Sequence, residues 1–113
     1  MSNADILDKL YQVVLSRREA DPDYSYIAKR LKQGTAKIAQ KVGEEAVETV
    51  IAAMQKDKKQ VISESADLLF HWLILLADAG VKPEEVMEEL KRREGISGLD
   101  EKALRKARRK GDV

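Results

Sequence analysis

The amino-acid sequence predicts an all-α fold for the whole chain of 113 residues. Apolar residues recur at the three- and four-residue spacing of helices, and no window alternates between apolar and polar residues as a strand would. Hydrophobic residues make up 43% of the chain and aromatic residues only 4%, a composition that favours helices rich in Leu, Ile, Val and Ala. The length predicts one domain, 1–113, with a basic C-terminal tail at about 102–113.

Residues that begin and end helices divide the chain into segments. We predict helices at roughly 4–19, 26–33, 35–56, 61–78 and 83–94, turns at 57–59 and 95–98, and a last basic helix capped by Asp100. Asn3 and Ser25 are suitable N-caps, and Pro83 suits the first turn of a helix. Gly34 and Gly80 are expected to end the helices that precede them.

Two short acidic motifs occupy the third and fourth predicted helices. Glu45 and Glu48, preceded by Glu44, lie in the third helix, and Glu64 and Asp67 lie in the fourth. Residues three or four apart share a helix face, so each motif directs two carboxylates the same way. If the helices form a hairpin that turns near residue 58, the two motifs fall within about two helical turns of each other.

The converging carboxylates predict a site for a divalent cation. No Lys or Arg lies between residues 60 and 81, so the fourth helix offers its acids no cation of its own. Like charges at short range repel each other unless a cation neutralises them, and oxygen ligands suit Mg²⁺, with Mn²⁺ as an alternative. A solvent-facing polar stripe is the competing explanation, although such stripes usually mix both signs of charge.

Three further residues are candidates for the same site. Lys37 and Lys41 lie one turn apart on the third helix and could reach phosphate oxygens. Pairing of Lys41 with Glu44 or Glu45 explains the same spacing equally well. His71 lies on the polar stripe of the fourth helix, where hydrogen bonding within the stripe is favoured over metal ligation.

Two runs resemble the MazG-like all-α nucleotide pyrophosphohydrolases, whose ExxE and ExxD motifs bind Mg²⁺. They are Lys41-Val-Gly-Glu-Glu-Ala-Val-Glu48 and Glu64-Ser-Ala-Asp-Leu-Leu-Phe-His71. Ser25-Tyr26 and Arg93-Glu-Gly-Ile-Ser-Gly98 are similar, more specifically, to the phosphoribosyl-ATP pyrophosphatase family of histidine biosynthesis. The resemblance covers essentially the whole chain, with Phe70 as a small departure at a position that is often Tyr.

The resemblance implies both a reaction and a set of residue roles. The reaction is the hydrolysis of phosphoribosyl-ATP to phosphoribosyl-AMP and pyrophosphate, within a MazG-like helical bundle completed by homodimerisation. Mg²⁺ would be held by Glu45, Glu48, Glu64 and Asp67. Glu48 would lie nearest the attacking water, with Glu44 as an additional ligand or water-orienting group. Lys37, Lys41 and His71 would bind the substrate.

The surface of the fourth helix independently predicts a homodimer. The segment 61–78 is apolar around about two thirds of its circumference, more than one hairpin and a modest first helix can cover. Its longest apolar stretch, Leu68–Ala77, is interrupted by His71 and is too short to span a bilayer. With no signal-peptide pattern and no Cys, the protein is expected in the cytoplasm without a membrane partner.

Two other functions compete with the leading one. A house-cleaning pyrophosphohydrolase acting on other nucleoside triphosphates would use the same metal chemistry. A non-enzymatic helical dimer could instead bind nucleic acid through the six cations of its tail, Lys102, Arg105, Lys106, Arg108, Arg109 and Lys110. The low aromatic content and the lack of a recognised DNA-binding helix pattern argue against specific nucleic-acid binding.

Overall fold

The computed structural model describes residues 5–94, together with residues 105, 106 and 108. It confirms the all-α prediction, since the described residues contain helices and no strand. The helices are α1 (Asp5–Ser16), α2 (Tyr26–Gln33), α3 (Thr35–Met54), α4 (Lys58–Ala79) and α5 (Pro83–Arg93). The Asn3 cap, the turn at 95–98 and the Asp100 cap lie outside the described residues. The contacts divide the chain into two compact units, Met1–Pro83 and Glu84–Val113.

The first unit is built on the pairing of α3 with α4. These helices share the most extensive contact, α1 and α2 both pack against α4, and α2 also packs against α3. The largest fully buried side chains come from three of the helices and are Val14, Ile38, Leu73 and Ile74. Burying a side chain of this size contributes about 1.5–3 kcal/mol. The core therefore holds the α3–α4 pair in a fixed register.

The start of α4 differs from the prediction. The sequence places a turn at 57–59 and the helix start near residue 61, whereas the helix begins at Lys58. The Asp57 carboxylate accepts a hydrogen bond from the backbone N–H of Gln60 at 3.1 Å and so caps the first turn. The cap satisfies a backbone donor that a helix start leaves unpaired, which extends α4 by three residues.

The ends of α2 and the C-terminal end of α4 follow the sequence signals, whereas α1 ends at Ser16, three residues before the predicted end at residue 19. Ser25 caps α2 by accepting from the backbone N–H of Ala28 at 3.1 Å. Gly34 separates α2 from α3 at a φ of 94°, and Gly80 ends α4 at a φ of 72°. Both backbone conformations disfavour residues with a side chain. The predicted ends at these two glycines are confirmed.

The second unit contains most of α5, which is stabilised by its own ion pairs. Arg92 and Arg93 both donate to Glu89, with the shortest distance, 2.6 Å, from Arg92 Nη2 to Glu89 Oε1. These hydrogen bonds and charges lower the pKa of Glu89 to about 2. Glu84 and Glu85 lie in the first turn and three basic residues lie in the last, an arrangement that complements the helix dipole.

One described helix, α4, is long and apolar enough by length and composition to cross a membrane. The same length and composition also occur in the core helices of soluble proteins. Only 28% of the most apolar 18-residue stretch of α4 is buried, and Ile62 and Leu69 are among its exposed apolar residues. The helix therefore presents apolar surface that the other described residues do not cover.

Candidate metal centre

The α3–α4 hairpin brings the two acidic motifs together. Residues 55–57 connect the helices, which pack closely and therefore run antiparallel. One carboxylate oxygen from each of Glu45, Glu48 and Glu64 lies within 4.8 Å of the other two. We call these residues the three-carboxylate cluster. The hairpin thus gathers three of the four ligands named from the sequence at one point.

The members of the three-carboxylate cluster differ in exposure. Glu45 is buried, with 6% of its surface exposed, whereas Glu64 is half-buried and Glu48 is exposed. The Oε2 atoms of Glu45 and Glu64 are shielded from solvent and have no hydrogen-bond partner among the described residues. A buried acceptor without a partner costs about 1–3 kcal/mol. A cation between the two helices would satisfy both oxygens.

Crowding of the carboxylates changes the acidity of the cluster. The pKa of Glu64 is raised from 4.5 to about 7, with the hydrogen bond to Glu48 as the largest cause. Burial and the negative charges of Glu48, Glu45 and Asp67 act in the same direction. In the metal-free chain the cluster therefore retains a proton close to neutral pH, and a divalent cation would displace it.

The other two acids of the motifs relate differently to the three-carboxylate cluster. Asp67 is exposed and lies one turn further along α4 than Glu64, close enough for its charge to raise the Glu64 pKa. Glu44 is also exposed and accepts a hydrogen bond from Gln40 Nε2 at 2.9 Å. Asp67, like the exposed Glu48, is thus at the rim of the centre and open to solvent, whereas Glu44 is connected to it through Lys41, which lies near both Glu44 and Glu45.

The two lysines of α3, Lys37 and Lys41, differ in their ion pairing. Lys41 Nζ lies 3.6 Å from Glu45 Oε1 and 3.9 Å from Glu44 Oε2, so the pairing anticipated for Lys41 is present. Lys37 is exposed and forms no ion pair with any described residue. In this state Lys37 is available to an anion, whereas Lys41 would first have to leave its two carboxylates.

His71 is buried and uses both ring nitrogens within the chain. Only 7% of its surface is exposed. Nδ1 lies 2.8 Å from the backbone oxygen of Asp67, which can only accept, so Nδ1 carries a proton. In the neutral ring Nε2 then accepts from the hydroxyl of Tyr26 at 2.6 Å. The hydrogen bonding expected for His71 is present, and it links α2 to the turn of α4 that carries Asp67.

Tyr26 lies next to the metal centre through its hydrogen bond with His71. Tyr26 was assigned no role from the sequence. Its ring packs against Phe70 at 6.2 Å between centroids, and the Arg30 guanidinium lies 4.8 Å above it. Tyr26 and His71 are 45 positions apart, so no local spacing links them. The only sequence signal was the appearance of Ser25-Tyr26 among the residues of the family resemblance.

The donor set fits a hard divalent cation. It consists of carboxylate oxygens from two rigid helices, with two shielded oxygens that lack hydrogen bonds. Oxygen ligands of this kind suit Mg²⁺ or Mn²⁺ rather than metals that prefer sulfur or imidazole. The neighbouring lysines of α3 supply positive charge for an anionic ligand, so the arrangement is suited to phosphate chemistry.

Comparison with known proteins identifies the family. The sequence profile described as phosphoribosyl-ATP pyrophosphohydrolase matches residues 7–94. A phosphoribosyl-ATP pyrophosphatase of Azospirillum brasilense is 58% identical over 105 residues, which cover 93% of this chain and 95% of the relative. One of Rhizorhabdus wittichii is 59% identical over 99 residues, covering 88% and 93%. The all-helical chain belongs to the phosphoribosyl-ATP pyrophosphohydrolase family, which confirms the resemblance found in its sequence.

Proposed function

We propose that the protein hydrolyses phosphoribosyl-ATP to phosphoribosyl-AMP and pyrophosphate, the second step of histidine biosynthesis. The three-carboxylate cluster is the observation that carries the proposal, because cleavage of a phosphoanhydride requires neutralisation of several phosphate charges. Family membership supports the choice of substrate. The bond cleaved is the one between the α and β phosphates, so pyrophosphate is the leaving group.

The carboxylates of the α3–α4 hairpin have different roles in the proposed mechanism. Bound Mg²⁺ would neutralise phosphate charge and lower the pKa of the attacking water. The shielded carboxylates of Glu45 and Glu64 would hold the ion from the two helices, and the exposed Glu48 and Asp67 would complete its ligands. Because Glu48 is the exposed member of the cluster, it also accepts the proton of the water. Glu44 orients that water or adds a ligand.

Two lysines bind the substrate in this proposal, and His71 acts indirectly. Lys37, which forms no ion pair with a described residue, approaches the leaving pyrophosphate directly. Lys41 exchanges its contacts with Glu44 and Glu45 for phosphate oxygens, which becomes favourable once a cation neutralises those acids. His71 acts through Tyr26, whose hydroxyl it positions.

We further propose that two copies assemble into a MazG-like helical bundle. Along α3 a continuous stripe of exposed apolar residues is formed by Val47, Val50 and Met54, and Met54 is 78% exposed. Together with exposed Ile62 and Leu69 of α4, this stripe is too apolar for a solvated surface, and a second copy would cover it.

A membrane does not suit the same surface. Bilayer insertion of α4 would bury Glu64 and Asp67, and an Asp at the centre of a spanning helix costs about 2.5–3.5 kcal/mol. Pairing between two copies covers the apolar residues and leaves the acidic side of the hairpin accessible to substrate. We therefore place the homodimer in the cytoplasm, with no membrane partner and no specific nucleic acid.

Pyrophosphate release tests the function. Phosphoribosyl-ATP should yield phosphoribosyl-AMP and pyrophosphate in the presence of Mg²⁺ or Mn²⁺, and chelation by EDTA should stop the reaction. Ordinary nucleoside triphosphates at equal concentration should release pyrophosphate far more slowly. Equal rates on both substrates would instead favour a general house-cleaning enzyme, and no release from any nucleotide would contradict hydrolysis altogether.

A further inference from the structure

The turn before α2 and the outer face of that helix form a cavity that the proposed catalytic roles do not use. The cavity has a volume of about 680 Å³ and opens to solvent. Its lining includes two tyrosines and two lysines, Tyr24, Tyr26, Lys29 and Lys32, and one carboxylate, that of Asp23. We call it the α2 cavity. Aromatic rings beside cations are suited to a ligand that contains both a heterocyclic base and a phosphate.

Tyr24 is unusually exposed for an aromatic residue, with 91% of its surface accessible. The turn that carries it is nevertheless ordered by hydrogen bonds. The backbone N–H groups of Tyr24 and Ser25 both donate to the backbone oxygen of Asp21 at 3.0 Å. The Asp21 carboxylate accepts from the N–H of Asp23 at 2.9 Å. The turn therefore orders the backbone that carries Tyr24 and leaves its ring exposed, where a planar ring can stack on it.

The two lysines of the α2 cavity are available to an anion. Lys29 and Lys32 are both exposed and lie three residues apart on one helix. Neither forms an ion pair with a described residue, in contrast to Lys41 and Lys91, which are paired with carboxylates. Against them the cavity offers only the carboxylate of Asp23. A phosphate group would receive two cations here.

The α2 cavity lies beside the metal centre. Tyr26 lines the cavity, and its hydroxyl is hydrogen-bonded to His71. His71 follows Asp67 by one turn of α4, about 6 Å along the helix axis. The wall of the cavity is therefore connected through two side chains to the turn that carries the acidic motif. The two places are therefore neighbours in the fold, joined through Tyr26 and His71.

We infer that the α2 cavity binds the phosphoribosyl end of the substrate and so distinguishes phosphoribosyl-ATP from ATP. This inference rests on the proposed function. The triphosphate lies at the three-carboxylate cluster, the adenine ring stacks on Tyr24, and the phosphate of the added ribose lies between Lys29 and Lys32. ATP lacks the phosphate on the added ribose and therefore gains no affinity from the two lysines.

Replacing both lysines tests the inference. In Lys29→Gln/Lys32→Gln, KM for phosphoribosyl-ATP should rise roughly tenfold or more while kcat changes less than about twofold, because the lost contacts bind a part of the substrate remote from the reaction. Lys29→Arg/Lys32→Arg should restore most of the affinity. Lys9→Gln on α1, an equally exposed lysine, serves as the control for loss of surface charge.

A binding measurement without metal separates this inference from the proposed function. By calorimetry in EDTA, wild-type protein should bind phosphoribosyl-AMP more tightly than AMP, and the double glutamine variant should lose that preference. Absence of the preference in wild type, or its persistence in the variant, would overturn the inference. If wild type shows the preference but releases no pyrophosphate from phosphoribosyl-ATP, the proposed function fails while the binding site stands.

Discussion

At the scale of single residues, the centre combines carboxylates in different environments. Glu45 is enclosed between two helices, whereas Glu48 faces solvent three residues later. An enclosed carboxylate is suited to holding an ion in place, and an exposed one is suited to exchanging protons with water. In the proposed mechanism the same helix face supplies two functions, which substitutions can separate.

Removing the charge of a rim carboxylate should abolish turnover without unfolding the chain. We expect Glu48→Gln or Asp67→Asn to lower Mg²⁺-dependent pyrophosphate release on the order of 10²-fold or more, since each loses a ligand and Glu48 also loses its basicity. The helical circular-dichroism spectrum should be unchanged. Glu19→Gln, at an exposed position outside the centre, is the matched control. Full activity of either rim variant would contradict the assignment.

The pKa of Glu64 gives the metal-free protein a specific pH dependence. Its folded pKa is about 7 against 4.5 for the unfolded chain, so the folded state binds more protons between these values. The contribution of this group to stability is thus complete below pH 4.5 and is lost as the pH rises to 7. Thermal unfolding in EDTA should show this decline in wild type, and Glu64→Gln should remove it.

A second measurement tests the same proton. Titration of Mn²⁺ at pH 6 into wild-type protein should release a proton, detected as a binding enthalpy that depends on the ionisation enthalpy of the buffer. The Glu64→Gln variant should show a smaller dependence. Identical buffer dependence in the two proteins would mean that Glu64 does not carry the displaced proton.

At the scale of helices, one hydrogen bond between side chains contributes to the contact of α2 with α4. Tyr26→Phe removes the hydroxyl and leaves Nε2 of buried His71 without its partner. We expect a loss of about 1–3 kcal/mol in the free energy of unfolding, measured by urea denaturation. Tyr24→Phe, which alters a hydroxyl on a solvent-exposed ring, should leave stability unchanged. Equal stability of Tyr26→Phe and wild type would show that the bond contributes nothing.

The helices also show how far sequence reasoning extends. Apolar spacing, Gly34, Gly80 and Pro83 located every helix within the described residues, because these signals act over a few neighbouring positions. The acidic hairpin was predictable for the same reason, since a short turn fixes which residues of α3 and α4 face each other. Asp57 was interpreted as part of a turn because a capping Asp and a turn Asp have the same local sequence.

The contacts that remained unpredicted join distant parts of the chain. Tyr26 meets His71 only because α2 packs back onto α4. Likewise, the Thr35 hydroxyl donates to Asp78 at 2.6 Å across 43 positions, which fixes the start of α3 beside the end of α4. The lining of the α2 cavity, by contrast, comes from one contiguous stretch of the chain, residues 22–33.

At the scale of the whole molecule, the exposed apolar stripe of α3 predicts the oligomeric state. Val50 is 61% exposed at the middle of the stripe. We expect Val50→Glu to convert a dimer into a monomer, because association would then bury a charge on each copy without a partner. Light scattering after size-exclusion chromatography measures the mass, and Gln12→Glu on α1 controls for added charge. A monomeric wild type at micromolar concentration would contradict the dimer.

The separation of Lys29 and Lys32 from the buried core has an evolutionary consequence. Both side chains protrude from one helix into solvent, and neither forms an ion pair with a described acid. Substitutions there are therefore nearly free of a folding penalty, in contrast to changes at Glu45 or His71. Selection can retune which nucleotide is accepted by altering one short surface helix while the hydrolytic chemistry is inherited intact. Laboratory evolution toward new phosphorylated nucleotides has its most permissive starting point at those two positions.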